Sequence, residues 1–240
     1  MRVGEFSDMF DTMLNIYASQ APFGEAASRQ EIVLDEYEKS IFLTRAQEEL
    51  VLSLYNGRNS SALSFEESEE LRRYLSNLIE EIRLTPVSTS NGLPLGINSN
   101  SKFFTLPDDL WFITYEAVTL SSDDSCLNNK DLEVYPARQD EYHKLKKNPF
   151  RGPNNRRALR FDLGDDNIEI VCKYTVASYY VRYIRKLHPI ILIDLPDDLS
   201  INDEIGISEC ELHDSLHQKV LELAVRMALQ SRGYMKQEQR

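Results

Sequence analysis

The chain has 240 residues, 42% hydrophobic and 28% charged, with a formal net charge of −12. That length holds one large domain or two small ones with a real core, and the acidic balance argues against general affinity for nucleic acid, which cationic side chains drive. No window approaches the roughly 20 apolar residues of a membrane helix, and no apolar run behind a basic start marks a signal peptide. Three scattered cysteines, Cys126, Cys172 and Cys210, argue against a disulfide framework and fit a reducing compartment.

In chain order, Phe6, Met9, Phe10, Met13, Leu14 and Tyr17 recur at helical spacing and predict a helix over 5–19, broken by Ala21-Pro22-Phe23-Gly24. A second helix is predicted from about Asp35 to Asn56, lined by Tyr37, Ile41, Leu43, Ala46, Leu50 and Leu54 and stopped by Gly57. A third opens on Ser64-Phe65-Glu66-Glu67, a capping box in which serine and glutamate satisfy each other's backbone amides. It carries Leu71, Tyr74, Leu75, Leu78, Ile79 and Ile82 until Thr85-Pro86 ends it. Residues 86–101, rich in Ser, Asn, Gly and Pro, read as a long loop.

The composition then turns aromatic and β-branched. Strands are predicted at 111–120, 132–135, 158–163, 168–176, 179–185 and 189–195, with Gly164-Asp165-Asp166-Asn167 as a turn. An antiparallel sheet or small sandwich follows. A last helix over about 209–231 presents Leu212, Leu216, Val220, Leu223, Ala224 and Met227, closed by Gly233 and followed by a polar tail from Lys236. The expected fold class is α+β: a helical bundle of the N- and C-terminal helices (1–85 and 205–240) with a β-rich antiparallel insertion at 102–204.

Cys210, His213 and His217 have the spacing C-x2-H-x3-H, which on one helix would place three soft ligands on adjacent turns. A zinc site needs a fuller set with supporting hydrogen bonds. His143 and His188 are isolated, and Cys126 and Cys172 lack companions, so the plainer reading is that these residues flank a core stripe. A metal-dependent enzyme built on them is the alternative; the expectation is no metal and no cofactor. Asp123-Asp124 and Asp165-Asp166 lack the spaced oxygens of a calcium loop. There is no glycine-rich phosphate loop, nucleophile elbow or HExxH helix. Trp111 is expected in the core. Leu-Pro-Asp-Asp-Leu occurs at 106–110 and 195–199, which reads as shared turn chemistry.

The candidate interface is the stretch 138–160. It sets Arg138, Lys144, Lys146, Lys147, Arg151, Arg156, Arg157 and Arg160 against only Asp140 and Glu141. With Pro149, Gly152, Pro153, Asn148, Asn154 and Asn155 it reads as an exposed, extended loop that cannot be a regular helix. A solvated basic loop is the commoner meaning of such a composition. Phe150 points the other way, because an aromatic amid such charge invites burial against a partner. Arginine suits planar carboxylate or phosphate contacts. The partner would be another acidic subunit, through head-to-tail contacts that close into a ring, or the phosphates of DNA in a pore. A nucleic-acid-binding regulator using this patch is a further alternative, with affinity falling steeply in salt.

The stretches YPARQDEYHKLKKNPFRGP (135–153), KYTVASYYVRYIRKLHPIILIDL (173–195), SECELHDSLHQKVLELAVRMAL (208–229), EYEKSIFLTRAQEELVLSLYNGR (36–58) and FEESEELRRYLSNLI (65–79) resemble the neck proteins of tailed bacteriophages. They are most similar to the ring or head–tail adaptor proteins of crAss-like phages. The resemblance implies a structural virion protein without enzymatic activity. It also implies many copies in a ring of expected twelvefold symmetry, joining the portal protein to adjacent neck or tail rings. Packaged DNA would pass through without sequence-specific binding, and no membrane is involved. The terminal helices would make the ring body and the strand region would reach neighbouring subunits.

Overall fold

The structure is a computed structural model that describes residues 1–20, 33–58, 65–88, 100–122, 126–196 and 198–232. Its elements are α1 (Val3–Gln20), α2 (Glu36–Tyr55), α3 (Glu69–Tyr74), β1 (Ile79–Leu84), β2 (Lys102–Thr105), β3 (Leu110–Leu120), β4 (Asp131–Pro136), α4 (Tyr142–Lys146), β5 (Arg157–Gly164), β6 (Asn167–Val171), β7 (Val176–Arg185) and α5 (Asp214–Ser231). Two compact units result, 1–78 with 187–240, and 79–186. The helix break at 21–24, Ser64, most of the 86–101 loop, Asp123-Asp124, Gly233 and the polar tail lie outside the described residues.

In the first unit, α1 buries Phe6, Phe10 and Leu14, and α5 buries Leu216, Val220, Leu221, Ala224 and Val225. Both α1 and α2 pack on α5. α2 starts with a capping box of its own: Asp35 accepts from the Glu38 amide at 2.7 Å, and Glu38 accepts from the Asp35 amide at 3.4 Å.

α2 also buries polar side chains, which bury well only when bonded. Lys39, 3% exposed, reaches Asp11 (2.7 Å), Glu36 (2.9 Å) and the Ser7 hydroxyl (3.1 Å). Ser40, Thr44 and Gln47, one helical row, bond the extended chain beside them. The Leu192 amide donates to Ser40 and the Ile190 amide to Thr44, each at 3.0 Å, and Gln47 donates to the His188 carbonyl at 2.5 Å. This explains why 189–195, strand-like in composition, is not a strand and keeps only the bridge Ile191–Ser208. The backbone groups of His188, Ile190 and Leu192 are taken by a helix.

Two helix expectations need correction here. The third predicted helix is only a 3-10 turn at Phe65–Glu67, α3, and a second 3-10 turn at Ser76–Leu78. Ile79–Leu84 is instead strand β1, paired with β7 from Ile79↔Ile184 to Leu84↔Tyr179. Pairing and burial of Ile82 and Leu84 on the sheet core override the helical spacing. α3 starts after Ser68, whose side chain makes no cap bond. The last helix begins at Asp214 rather than 209, where the His213 ring nitrogen accepts from the Ser215 amide at 3.3 Å.

The second unit is a seven-stranded sheet in the order β1-β7-β3-β4-β5-β6-β2. It is mixed, which corrects the antiparallel expectation: β4 and β5 run parallel, joined by the crossover that contains α4, while the other pairs are antiparallel. β1 and β7, the unit's first and last strands, are neighbours. β2 was not among the predicted strands, and β6 stops at Val171, short of 176. At the β5–β6 turn Asp165 and Asp166 take the left-handed conformation, φ 50° and 56°.

The sheet curls. Phe104 on edge strand β2 and Tyr179 on β7 are five strand spacings apart, roughly 24 Å in a flat sheet, yet their rings lie 5.4 Å apart. The inner face encloses Leu106, Val118, Leu120, Leu132, Ala158, Ile168, Ile170, Val176 and Val181. On the outer face the crossover packs Tyr142, with Ala137 and Leu145, over Leu159, Phe161 and Val171. Trp111 is half-buried and stacks on Phe112 at 4.9 Å, so it does not fill the core. Both Leu-Pro-Asp-Asp-Leu copies make one turn: Leu110 donates to Pro107 at 3.1 Å and Leu199 to Pro196 at 2.9 Å.

Candidate interface of the basic segment

Residues 138–160 are not an extended loop. The segment forms a 3-10 turn at Gln139–Glu141, one turn of helix in α4, a tight turn and the start of β5. Tyr142 anchors it, edge-on to Phe161 with ring centres 5.6 Å apart. The residues that suggested an open loop instead close a compact one. Asn148 accepts from the amides of Phe150 (2.9 Å) and Arg151 (3.1 Å), and Asn154 from that of Arg156 (2.8 Å). Gly152 is buried, and a Cβ there would sit 2.5 Å from the Leu145 carbonyl oxygen.

The nine candidate residues separate into three kinds. Arg160 faces the sheet interior on β5, where it meets Glu116 at 2.8 Å and Asp162 at 3.0 Å. Tyr179 donates to the other Glu116 oxygen at 2.8 Å, and burial next to that carboxylate pushes its phenol far above the usual range. Arg157 is half-buried: its guanidinium stacks 4.0 Å over the Tyr135 ring and donates to the Phe150 carbonyl at 3.2 Å. Both arginines are thus engaged within the subunit, Arg160 by buried ion pairs and Arg157 by its stack on Tyr135. Arg138 is exposed and pairs with Asp140 at 2.9 Å.

The remaining cations, Lys144, Lys146, Lys147, Arg151 and Arg156, are exposed, and among the described residues none has a carboxylate within 4.0 Å. Lys146 lies 5.9 Å over the Tyr142 ring. Phe150 projects among them, 84% exposed.

Beside this face a cleft of about 410 Å³ opens between β3 and β4, lined by Tyr115, Glu116, Glu133, Val134, Tyr135 and Pro136. It exists because the β3–β4 ladder stops at Ala117↔Glu133. Tyr115 and Tyr135 are exposed on its rim. Sequence reasoning passed them over, though the alternation of β4 (Leu132 and Val134 inward) marks Tyr135 as an outward aromatic beside the basic run.

The other candidate constellation is dispersed. Cys210 precedes α5, its sulfur 3.6 Å from the Gln47 side-chain oxygen, and burial pushes its thiol up to about 11. His213 caps α5. His217 is buried, with Nε2 2.9 Å from the Leu212 carbonyl oxygen and Nδ1 2.7 Å from the Met1 amino nitrogen. Among the described residues no group of three or more His, Cys, Asp or Glu side chains is placed to hold a metal ion. A groove of about 750 Å³ along α2 and α5, lined by Phe42, Arg45, Glu48, Glu49, Leu52 and Met227, carries no cysteine or histidine. No described helix is long and apolar enough to cross a membrane.

The family model for phage tail ring protein 3/4 matches residues 1–240. The chain belongs to that family. It is 46% identical over 230 residues to Ring protein 3 of Bacteroides phage crAss001, covering 95% of both chains. It is 30% identical over 237 residues to Ring protein 4/5 of the same phage, covering 95% of this chain and 92% of that one. The likeness to crAss-like ring proteins read from the sequence is thus shown along the whole length. In this ring protein the crossover between β4 and β5 carries exposed cations on either side of Phe150.

Proposed function

We propose that this chain is a structural component of the phage virion, a neck ring that joins the portal to the tail and lines the DNA exit channel. The full-length match to the phage tail ring family carries the reading. The higher identity to Ring protein 3 than to Ring protein 4/5 supports the corresponding place in the stack. Copies assemble around the channel with the portal's expected twelvefold symmetry. The terminal helices form the ring body, and the sheet unit reaches neighbouring subunits or the next ring. The chain catalyses nothing and needs no metal or cofactor. It is made in the host cytoplasm and ends in the virion.

A net charge of −12 suits passage of DNA, because weak repulsion lets a polyanion slide rather than stick. In this reading the exposed cations are for protein contacts, and Phe150 is the apolar anchor that such contacts need. The test is Arg151→Glu with Arg156→Glu, both exposed and outside the Arg157–Tyr135 stack. The variant should fold normally by circular dichroism and be missing from particles seen by electron microscopy. Normal incorporation would remove the role of this face. Micrographs of the protein with its portal would settle the symmetry.

A further inference from the structure

The stretch 193–207 stands out by its exposed aliphatic side chains. Four exposed aliphatic side chains fall in one short stretch: Ile193 (48% exposed), Leu199 (36%), Ile205 (46%) and Ile207 (53%). Single exposed aliphatics are ordinary, but a group of them marks a contact surface.

The stretch is folded. Ile201 and Glu204 bridge a tight turn, in which Asn202 and Asp203 take left-handed φ of 50° and 67°. The Leu195 amide donates to the Ile205 carbonyl at 2.9 Å, and the Ile207 amide to Asp194 at 3.1 Å. Ile191, Leu195 and Ile201 point inward against Tyr37 and Ile41 of α2. The outward aliphatics therefore stand on a fixed base.

Charge then selects the partner. Between Lys186 and Lys219 the sequence has no lysine or arginine, while Asp194, Asp198, Asp203, Glu204 and Glu209 lie in or beside the hairpin. Phosphates and acidic proteins are repelled by such a surface. It fits a partner that is cationic and offers an apolar side chain, and this chain has one, Phe150 among Lys144, Lys147, Arg151 and Arg156.

We propose that the exposed side chains of residues 193–196 and 198–207 dock on the Phe150 face of a second copy. Two different surfaces meeting head to tail is the kind of contact that generates rings. The inference rests on the reading of the basic segment as a subunit contact and adds which surface it meets.

The experiment compares self-association of the full chain, at high concentration and on purified portal. The basic-face variant is Arg151→Glu with Arg156→Glu; the acidic-face variant is Asp198→Lys with Glu209→Lys. Each alone should associate about tenfold more weakly or worse. Mixed together they should assemble, since each keeps the face the other needs and the two altered faces are also opposite in charge. Ile205→Ser with Ile207→Ser should fail in any mixture that lacks an intact hairpin. Unchanged circular dichroism guards against misfolding. If the basic variant fails while the acidic and serine variants assemble normally, the basic face meets another surface and the present inference is wrong, with the subunit-contact reading intact. Normal assembly of the basic variant overturns both. Two failing variants whose mixture also fails exclude direct pairing, as does a wild type that associates under neither condition.

Discussion

Arg160 and Glu116 meet at 2.8 Å inside the curled sheet, from strands β5 and β3 that are separated by β4. The two side chains, 12% and 8% exposed, reach toward each other across the concave face, and Tyr179 completes the carboxylate. A buried pair of this kind adds little net stability over an apolar replacement, but breaking it strands a charge.

Arg160→Met should therefore lower unfolding free energy by roughly 3–5 kcal/mol, the range for a half-removed buried pair. Arg160→Met with Glu116→Leu should recover most of that loss. Urea denaturation measures both; a single variant less than about 1 kcal/mol from wild type would mean water reaches the pair.

Gly152→Ala probes the crossover. Its Cβ meets two backbone carbonyl oxygens, Leu145 at 2.5 Å and Asn148 at 2.8 Å, and backbone cannot swing aside as a side chain can. The expected cost is about 1–3 kcal/mol, read as a lowered Tm. An unchanged Tm would mean that the segment is as open as its composition suggests.

Thr44→Val tests how α2 holds the chain beside it. The hydroxyl accepts from the buried Ile190 amide at 3.0 Å, and valine leaves that donor unpaired at about 1–3 kcal/mol. Hydrogen exchange should show the Ile190 amide losing protection while amides in the centre of β7 keep theirs.

His217 supplies a pH dependence. Burial holds its imidazole below the usual 6.5, so the folded protein resists the proton that the unfolded chain accepts. Relative to His217→Gln, the wild type should be level above pH 6.5 and lose stability as the pH falls through that value toward the lowered folded one. Paired Tm measurements at pH values on either side should show the gap opening only on the acid side.

The helices α1 and α2 and most of α5 are legible in the sequence because each buries one face at helical spacing. The strands β3, β4, β5 and β7 are legible from β-branched and aromatic runs. Where reading and structure part, a distant partner decides. Ile79 and Ile82 fit a helix and a strand equally well until β7 pairs with them. Ile190 and Leu192 look like strand residues until α2 bonds their amides. The parallel β4–β5 pair has no local signature, since its crossover resembles a loop. Tyr142 and Leu145, apolar at i and i+3 amid lysines, are the visible trace that this crossover folds back on the sheet. Arg160 cannot be told from its exposed neighbours, because Glu116 lies 44 residues earlier in the chain.

The pairing of Ile79 with Ile184 has a wider meaning for how such chains diversify. The covalent connections at both ends of 79–186 leave from adjacent strands, so the stretch between them is a cassette with its two ends in one place. A two-residue reverse turn spans neighbouring antiparallel strands. The geometry therefore permits this stretch to be lengthened, trimmed or exchanged without redesigning the helices that share the chain.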